Sequence, residues 1–148
     1  LARAARESLS AQLAGRPVAV RIAQGCPDLW VDPALALEIL ANLLENAERW
    51  SPPEAPIELT AAVFPGGEEG APRRVAIEVL DRGPGPPSSG GDDAPSGGLG
   101  LLIVRSLAAQ LHGSFALTPR PGGGAIARVE LPAAAYADDR ESPERRNP

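Results

Sequence analysis

Asp81 opens a short motif, Asp81 to Gly85 (DRGPG), at the point where a predicted strand enters a loop. A carboxylate in that place can point into a pocket and accept a hydrogen bond from an amino group. Gly83 and Gly85 would let the backbone approach a flat ligand closely, since glycine has no Cβ. A plain turn is the alternative, because Asp, Gly and Pro are common turn residues.

A second glycine-rich motif, Ser96 to Leu101 (SGGLGL), lies where a loop enters a predicted helix. The free N–H groups and the positive dipole end at the start of a helix suit a phosphate group. The spacing of Gly98 and Gly100 does not match the dinucleotide-binding fingerprint, which needs a third Gly or Ala further on. A flexible hinge before the helix is the alternative.

Asn42, Asn46 and Arg49 form a polar stripe on a third element, the stretch from 35 to 50. They are separated by four and three residues, so on a helix they share one face. Asn is a poor residue inside a helix because its amide competes for backbone hydrogen bonds, which makes two of them one turn apart unusual. From this stretch alone, a solvated face and a binding face are both open.

Hydrophobic periodicity predicts the elements that must position these motifs. Apolar residues at helical spacing predict helices over 1–13, 33–50 and 99–111, with Asp32 and Pro33 opening the second and Gly113 stopping the third. Apolar alternation and short apolar runs predict strands over 17–23, 56–63, 74–80, 114–118 and 125–131.

The predicted core faces follow from the same spacing. The second helix should bury one face and the third helix another, formed respectively by Leu40, Leu43, Leu44 and Ala47 and by Leu99, Leu102, Ile103 and Leu107. Adjacent strand pairs predict an α+β fold, a two-layer α/β sandwich whose mixed, mostly antiparallel sheet carries its helices on one face. We expect one domain over 1–132 and a polar, disordered tail over 133–148.

Composition excludes several function classes. The 148 residues suit one soluble domain, and a net charge of -5 argues against nucleic acid as the main partner. All 14 basic residues are Arg, so a P-loop lysine and a Schiff-base lysine are excluded. The single cysteine, Cys26, permits no internal disulfide and is compatible with a reducing, cytoplasmic setting. A first residue other than Met suggests a fragment of a longer protein.

In combination, these motifs resemble the ATP-binding catalytic domain of bacterial sensor histidine kinases, in the superfamily that includes gyrase, the ninety-kilodalton heat-shock chaperone and the mismatch-repair ATPases. NLLENAER (42–49) looks like the N box, DRGPG like the G1 box, GGLGL (97–101) like the G2 box, and PGGGAIARVELP (121–132) like the closing segment. The stretch 42–59 is most similar to the potassium-responsive sensor kinases. The resemblance covers about 1–132 and implies the Bergerat ATP-binding fold.

For the phosphate end of a nucleotide, the resemblance implies that Asn46 ligates Mg²⁺ and that Asn42 contacts phosphate or the waters of the cation. Arg49 would reach the phosphates. Backbone N–H groups of the G2 box would lie beside the phosphates and hinge a lid; these residues are Gly98, Leu99, Gly100 and Leu101.

For the base end, the resemblance implies that Asp81 accepts a hydrogen bond from the adenine amino group. Gly83 and Gly85 would shape the base pocket. Trp50 would pack against the nucleoside, although a Trp at the edge of the core is an equal alternative.

Two features depart from relatives within this superfamily. The loop 86–97 lacks the Phe-containing F box of histidine kinases. This difference would impair autophosphorylation more than nucleotide binding. Asn42 stands where the ATPase branches carry a Glu as general base, so transfer to a protein nucleophile is favoured over hydrolysis.

The resemblance therefore implies an ATP-dependent protein histidine kinase with ATP and Mg²⁺ as its cofactors. The γ-phosphoryl group would pass to a histidine on a separate dimerisation and phosphoacceptor domain, and then to a response regulator of a two-component system. The parent protein would be a membrane-bound homodimer, with this domain on the cytoplasmic side of the inner membrane. The alternatives are a degenerate nucleotide-binding regulatory module without transfer activity and an anti-sigma-factor serine kinase.

Overall fold

A computed structural model describes residues 16–64, 73–86 and 98–134. The helix predicted over 1–13, most of the loop 86–97 and almost all of the predicted tail lie outside these residues. The described elements occur in the predicted order: β1 (Val18–Ile22), α1 (Pro33–Trp50), β2 (Ile57–Phe64), β3 (Arg74–Leu80), α2 (Gly98–Gln110), β4 (Ser114–Pro119) and β5 (Ala125–Pro132).

The five strands form one mixed sheet in the order β1-β2-β3-β5-β4. β1 and β2 run parallel, as the crossover through α1 requires, and the other three neighbouring pairs are antiparallel. Alternate residues of the three central strands are buried with both helices in a single core; they include Ile57, Leu59, Val75, Ile77, Val79, Val129 and Leu131. The predicted α+β sandwich with helices on one face is therefore confirmed.

Helix α1 begins and ends where its sequence predicts. Oδ1 of Asp32 accepts the N–H of Ala34 at 2.8 Å and that of Leu35 at 3.5 Å, and Pro33 stands in the first turn. At the other end, Ser51 donates its N–H to the carbonyl of Ala47 at 2.9 Å. All four residues of the predicted apolar face are buried, so α1 packs on the sheet and leaves its polar stripe outside the core.

Helix α2 buries a different face from the predicted one. Leu101, Val104 and Ala108 lie in the core, whereas the side chains of Leu99 and Leu102 are 76% and 64% exposed. The prediction was wrong for Leu99 and Leu102, whereas Ile103 and Leu107 are half-buried and Leu107 packs against the core. Because this helix is apolar on nearly every side, its sequence does not define the rotation about its axis. Packing against α1 and the sheet decides that rotation.

The end of α2 is a Schellman motif. The N–H of Gly113 donates to the carbonyl of Ala108 at 2.7 Å, and that of His112 to the carbonyl of Ala109 at 3.0 Å. The left-handed residue is His112, with φ of 57°, and not Gly113. Gly113 is required for space, because a Cβ there would overlap the carbonyl oxygen of Glu130. The predicted stop is thus correct in place, while its mechanism is shared by two residues.

Strand β1 lies at the edge of the sheet. Val18 packs against the core, but Val20 and Ile22 are 39% and 47% exposed. The alternating pattern correctly predicts a strand and overstates how much of its apolar face is buried.

Candidate nucleotide-binding site

Three motifs that lie far apart in the sequence meet along one side of α1. A Cβ on Gly83 would lie 2.7 Å from the carbonyl oxygen of Trp50, so the DRGPG loop rests directly on the end of the helix. A Cβ on Gly100 would lie 3.2 Å from Oδ1 of Asn42, so the start of α2 rests on the polar stripe. The two predicted ligand-binding loops are therefore positioned by the end and the middle of α1.

Asp81 is only 5% exposed and follows β3 directly. Its Oδ1 accepts the N–H of Gly83 at 2.8 Å and the N–H of Ala125 at 3.0 Å. Across the part of the chain that the structure describes, Oδ2 of Asp81 accepts no hydrogen bond. One oxygen of the carboxylate is thus used to fix the loop, and the other can accept a hydrogen from an amino group of a ligand.

The turn between β4 and β5 closes the back of this loop. Gly124 has φ of 105° and lies so close to Asp81 that a Cβ would overlap the Asp81 carbonyl oxygen. A Cβ on Gly85, whose φ is 81°, would lie 2.9 Å from the carbonyl oxygen of Gly124. Both conformations are strained for residues with a side chain. The glycines of the two loops therefore allow the backbones to touch behind the carboxylate.

Ser51 joins the end of α1 to the same loop. Its side chain is 7% exposed, and Oγ accepts the N–H of Arg82 at 3.1 Å. Within residues 16–64, 73–86 and 98–134, Ser51 and Asp81 are the only buried polar or charged residues. Nothing in the sequence indicates this bond between Ser51 and Arg82.

Arg120, in the turn between β4 and β5, also holds the backbone of Asp81. Its Nη1 donates to the Asp81 carbonyl at 3.3 Å, and its Nη2 lies 2.5 Å from Oε1 of Glu58. The hydrogen bond from Arg120 lowers the pKa of Glu58 below its usual range, the positive charges of Arg120, Arg21 and Arg82 act in the same direction, and burial opposes them. Glu58 is therefore anionic at neutral pH and holds Arg120 in place.

The polar stripe of α1 extends from the DRGPG loop toward the start of α2. Asn42 is half-buried and donates from Nδ2 to the carbonyl of Glu38 at 2.9 Å, which leaves Oδ1 facing the start of α2. Asn46 is also half-buried and lies one turn closer to the DRGPG loop. Arg49 is exposed, and Trp50 is 51% exposed at the end of the helix.

The start of α2 can offer backbone N–H groups to a ligand. Gly98 has φ of 65°, and Gly98 and Leu99 are exposed while Gly100 is half-buried. Leu101 is 7% exposed with its side chain in the core, so its side chain is not placed to contact a ligand. The first N–H groups of a helix have no acceptor within the helix, and an anion can take them.

The side chains near the polar stripe suit a cation that binds together with phosphate groups. In the described ranges there is no cluster of three or more His, Cys, Asp or Glu side chains that could hold a metal ion. Asn46 can offer one neutral amide oxygen. Mg²⁺ commonly takes few protein ligands and completes its octahedron with substrate phosphates and water. These residues therefore fit Mg²⁺ bound together with a triphosphate, and they do not form a resident metal centre.

Comparison with known proteins identifies the class that this fold and site define. The family described as histidine kinase-, DNA gyrase B-, and HSP90-like ATPase matches residues 31–135. The chain therefore belongs to this family.

Its curated relatives are sensor kinases. The sensor protein KdpD of Escherichia coli K12 is 32% identical over 129 residues, covering 78% of this chain and 14% of that protein. KdpD of Mycobacterium tuberculosis is 30% identical over 127 residues, covering 77% and 14%. The C4-dicarboxylate transport sensor protein DctS of Rhodobacter capsulatus is 33% identical over 119 residues, covering 72% and 17%. The chain thus spans a small part of each, and the predicted resemblance to sensor histidine kinases is confirmed.

Solved structures confirm the fold. Full-length ShkA in complex with AMPPNP superposes with a TM-score of 0.71 at 28% identity, over 91% of this chain and 30% of ShkA. The catalytic domain of histidine kinase ThkA superposes with a TM-score of 0.70 at 19% identity, over 88% of this chain and 90% of ThkA.

In the described part of this chain, neither helix is long and apolar enough to cross a membrane.

Proposed function

We propose that this chain is the ATP-binding catalytic domain of a two-component sensor histidine kinase, and that it binds Mg-ATP and passes the γ-phosphoryl group to a histidine on a separate domain. The observation that carries the proposal is the Asp81 carboxylate, fixed through Oδ1 and available through Oδ2. The ShkA complex with AMPPNP, a relative that shares the fold, supports a nucleotide as the ligand.

Adenine recognition would rest on the fixed carboxylate. The exocyclic amino group of adenine would donate to Oδ2 of Asp81. This acceptor is charged and almost fully buried, and hydrogen bonds to charged groups are stronger than those between neutral groups. The glycine backbone at Gly83 and Gly85 leaves room for a flat ring beside this loop. Trp50, half-exposed at the adjoining end of α1, would cover part of the nucleoside.

Phosphate binding would follow α1 toward its middle. The N–H groups at the start of α2 and the Arg49 guanidinium would hold the phosphate oxygens, since both are donors directed at negative charge. Asn46 would supply an oxygen to the Mg²⁺ that accompanies the nucleotide, and the cation would neutralise phosphate charge. Phosphoryl transfer depends mostly on positioning and charge stabilisation, which these groups provide.

Asn42 favours transfer over hydrolysis. Hydrolysis needs a group that orients water and takes its proton, and a neutral amide cannot take a proton. The Asn42 amide also donates to its own helix at 2.9 Å, which holds the side chain in one orientation. A histidine presented by another domain would instead act as the nucleophile.

The transfer test mixes the chain with the phosphoacceptor domain of its parent protein and γ-labelled ATP. The proposal predicts label on the acceptor domain that is lost in acid, because phosphohistidine is acid-labile. Acid-stable label would indicate a serine kinase instead. Binding of ATP with no label on the acceptor would support the regulatory module, the alternative that the missing F box favours. The partners that we propose are the phosphoacceptor domain and a response regulator, and the setting that we propose is a membrane-bound homodimeric parent with this domain in the cytoplasm.

A further inference from the structure

Arg16 holds the end of α1 by donating to three backbone carbonyls. Its Nη1 donates to Glu48 at 3.1 Å, and its Nη2 donates to Ala55 at 3.0 Å and also to Pro52. Arg16 lies just before β1, whereas the three carbonyls belong to the last turn of α1 and the segment that follows it. One guanidinium therefore ties the start of the edge strand to the end of the helix.

The sequence at the end of α1 creates the need for this donor. In a continuing helix the carbonyl of Glu48 would accept the N–H of residue 52, but Pro52 has no N–H. Arg16 supplies the missing donor, and its positive charge lies at the negative end of the helix dipole. A guanidinium suits this task because it carries several donors in one plane and can reach separate carbonyls at once.

The helix end that Arg16 holds is the part that contacts the DRGPG loop. Ser51, the residue after α1, accepts the Arg82 N–H at 3.1 Å, and the Trp50 carbonyl lies against Gly83. Arg82 and Gly83 directly follow Asp81, and the Gly83 N–H donates to its carboxylate. These contacts connect the end of α1 to the Asp81 carboxylate, so a displacement of the helix end would also displace the carboxylate.

We infer that Arg16 is a positioning residue for nucleotide binding: by holding the end of α1, it places the loop that carries Asp81. This inference rests on the proposed function, since it assigns a further residue to the same site. In the described structure Arg16 donates hydrogen bonds to backbone carbonyls of α1 and the segment after it, so its effect on the ligand would be indirect, through Ser51 and the loop.

The chain offers a matched control for this inference. Arg74 donates from Nη1 to the carbonyl of His112 at 3.1 Å, just after the end of α2. Arg74 opens β3, whereas Asp81 follows its last residue, so about 20 Å of strand separates them. Arg16→Gln and Arg74→Gln each remove an arginine from the carbonyls at a helix end, and the end of α1, which Arg16 holds, is the one that contacts the DRGPG loop.

The experiment measures AMPPNP affinity, in the presence of Mg²⁺, and urea unfolding for the unaltered chain and these variants. We expect Arg16→Gln to weaken AMPPNP binding about five- to tenfold, within the range that indirect contacts commonly contribute. Arg16→Lys should recover part of that loss, since it restores the charge without the planar fork. Arg74→Gln should bind AMPPNP as the unaltered chain does, even where it lowers stability.

A double-mutant cycle with Ser51→Ala separates positioning from mere stability. If Arg16 acts through Ser51, the combined variant should lose less affinity than the product of the two single losses. If Arg16→Gln does not fold, Arg16→Lys and Ser51→Ala carry the same test. Equal affinity of the folded Arg16 variants and the unaltered chain would overturn the inference while leaving the proposed function intact. A folded, unaltered chain that does not bind AMPPNP would overturn both.

Discussion

Asp81 and Ala125 hold each other by two hydrogen bonds that run in opposite directions. The N–H of Asp81 donates to the carbonyl of Ala125 at 3.0 Å, and the N–H of Ala125 donates to Oδ1 of the Asp81 carboxylate at 3.0 Å. The pairing continues the ladder between β3 and β5 by one residue and fixes the carboxylate at the same time. A carboxylate fixed before the ligand arrives loses little entropy on binding.

Asp81→Asn tests adenine recognition without removing the loop anchor. The amide oxygen can still accept from Gly83 and Ala125, but an NH₂ group then faces the amino group of adenine. We expect AMPPNP binding to weaken by about 1.5–3 kcal/mol, which is roughly 10- to 150-fold in the dissociation constant. Calorimetric titration of the folded variant measures this. Unchanged affinity would show that the base does not bind at Asp81.

Asn46→Ala tests the cation at the phosphates. Loss of the amide oxygen should reduce the gain in AMPPNP affinity that Mg²⁺ provides, with little effect on the fold, because the side chain lies outside the core. Glu45→Ala, which removes an exposed neighbouring carboxylate, is the control and should keep the full Mg²⁺ dependence. Titrations with and without Mg²⁺ measure both variants. The assignment of Asn46 fails if the two variants respond to Mg²⁺ alike.

The ion pair of Glu58 and Arg120 predicts a pH dependence of stability. Because the hydrogen bond from Arg120 lowers the pKa of Glu58 in the folded chain, the folded state stabilises its anion. That stabilisation is fully present above the unfolded-state pKa of about 4.3 and is lost as the pH falls through the lower, folded-state value.

Urea midpoints between about pH 6 and pH 3 measure this effect. Glu58→Gln has no carboxylate to protonate, so its midpoint should fall less steeply over this range than that of the unaltered chain. Parallel pH curves for the two proteins would contradict the role given to this ion pair.

Gly124→Ala tests the contact behind the carboxylate. A Cβ there would overlap the Asp81 carbonyl oxygen in a backbone with φ of 105°, so we expect a loss of about 3–5 kcal/mol in the free energy of unfolding. Gly25→Ala is the control, since Gly25 also has a positive φ, of 75°, but nothing lies within 4 Å of its Cβ position. That variant should lose only about 1–2 kcal/mol. Similar losses in urea unfolding would mean that the contact behind Asp81 is loose.

Much of the fold could be predicted because local signals agree with the tertiary structure. Asp32 and Pro33 at one end of α1 and two prolines at the other bound a helix whose apolar face is well defined. Helix α2 was mispredicted in its buried face because its apolar residues surround the axis, and only packing distinguishes Leu101 from Leu102.

The motif residues of the candidate site could be proposed from their types and spacing together with the resemblance to histidine kinases, but the residues that support them could not. Arg16, Ser51 and Arg120 act through partners more than 30 residues away in the sequence, and backbone carbonyls or N–H groups form most of those contacts. Almost every residue carries the same backbone N–H and carbonyl groups, so the residue types in the sequence do not indicate these partners.

The most direct test of the proposed function is a calorimetric titration of this chain with AMPPNP, with and without Mg²⁺. We predict one site with a dissociation constant in the micromolar range, about -8 kcal/mol, and tighter binding when Mg²⁺ is present. A folded chain that binds no AMPPNP under either condition would contradict the assignment of this site to a nucleotide.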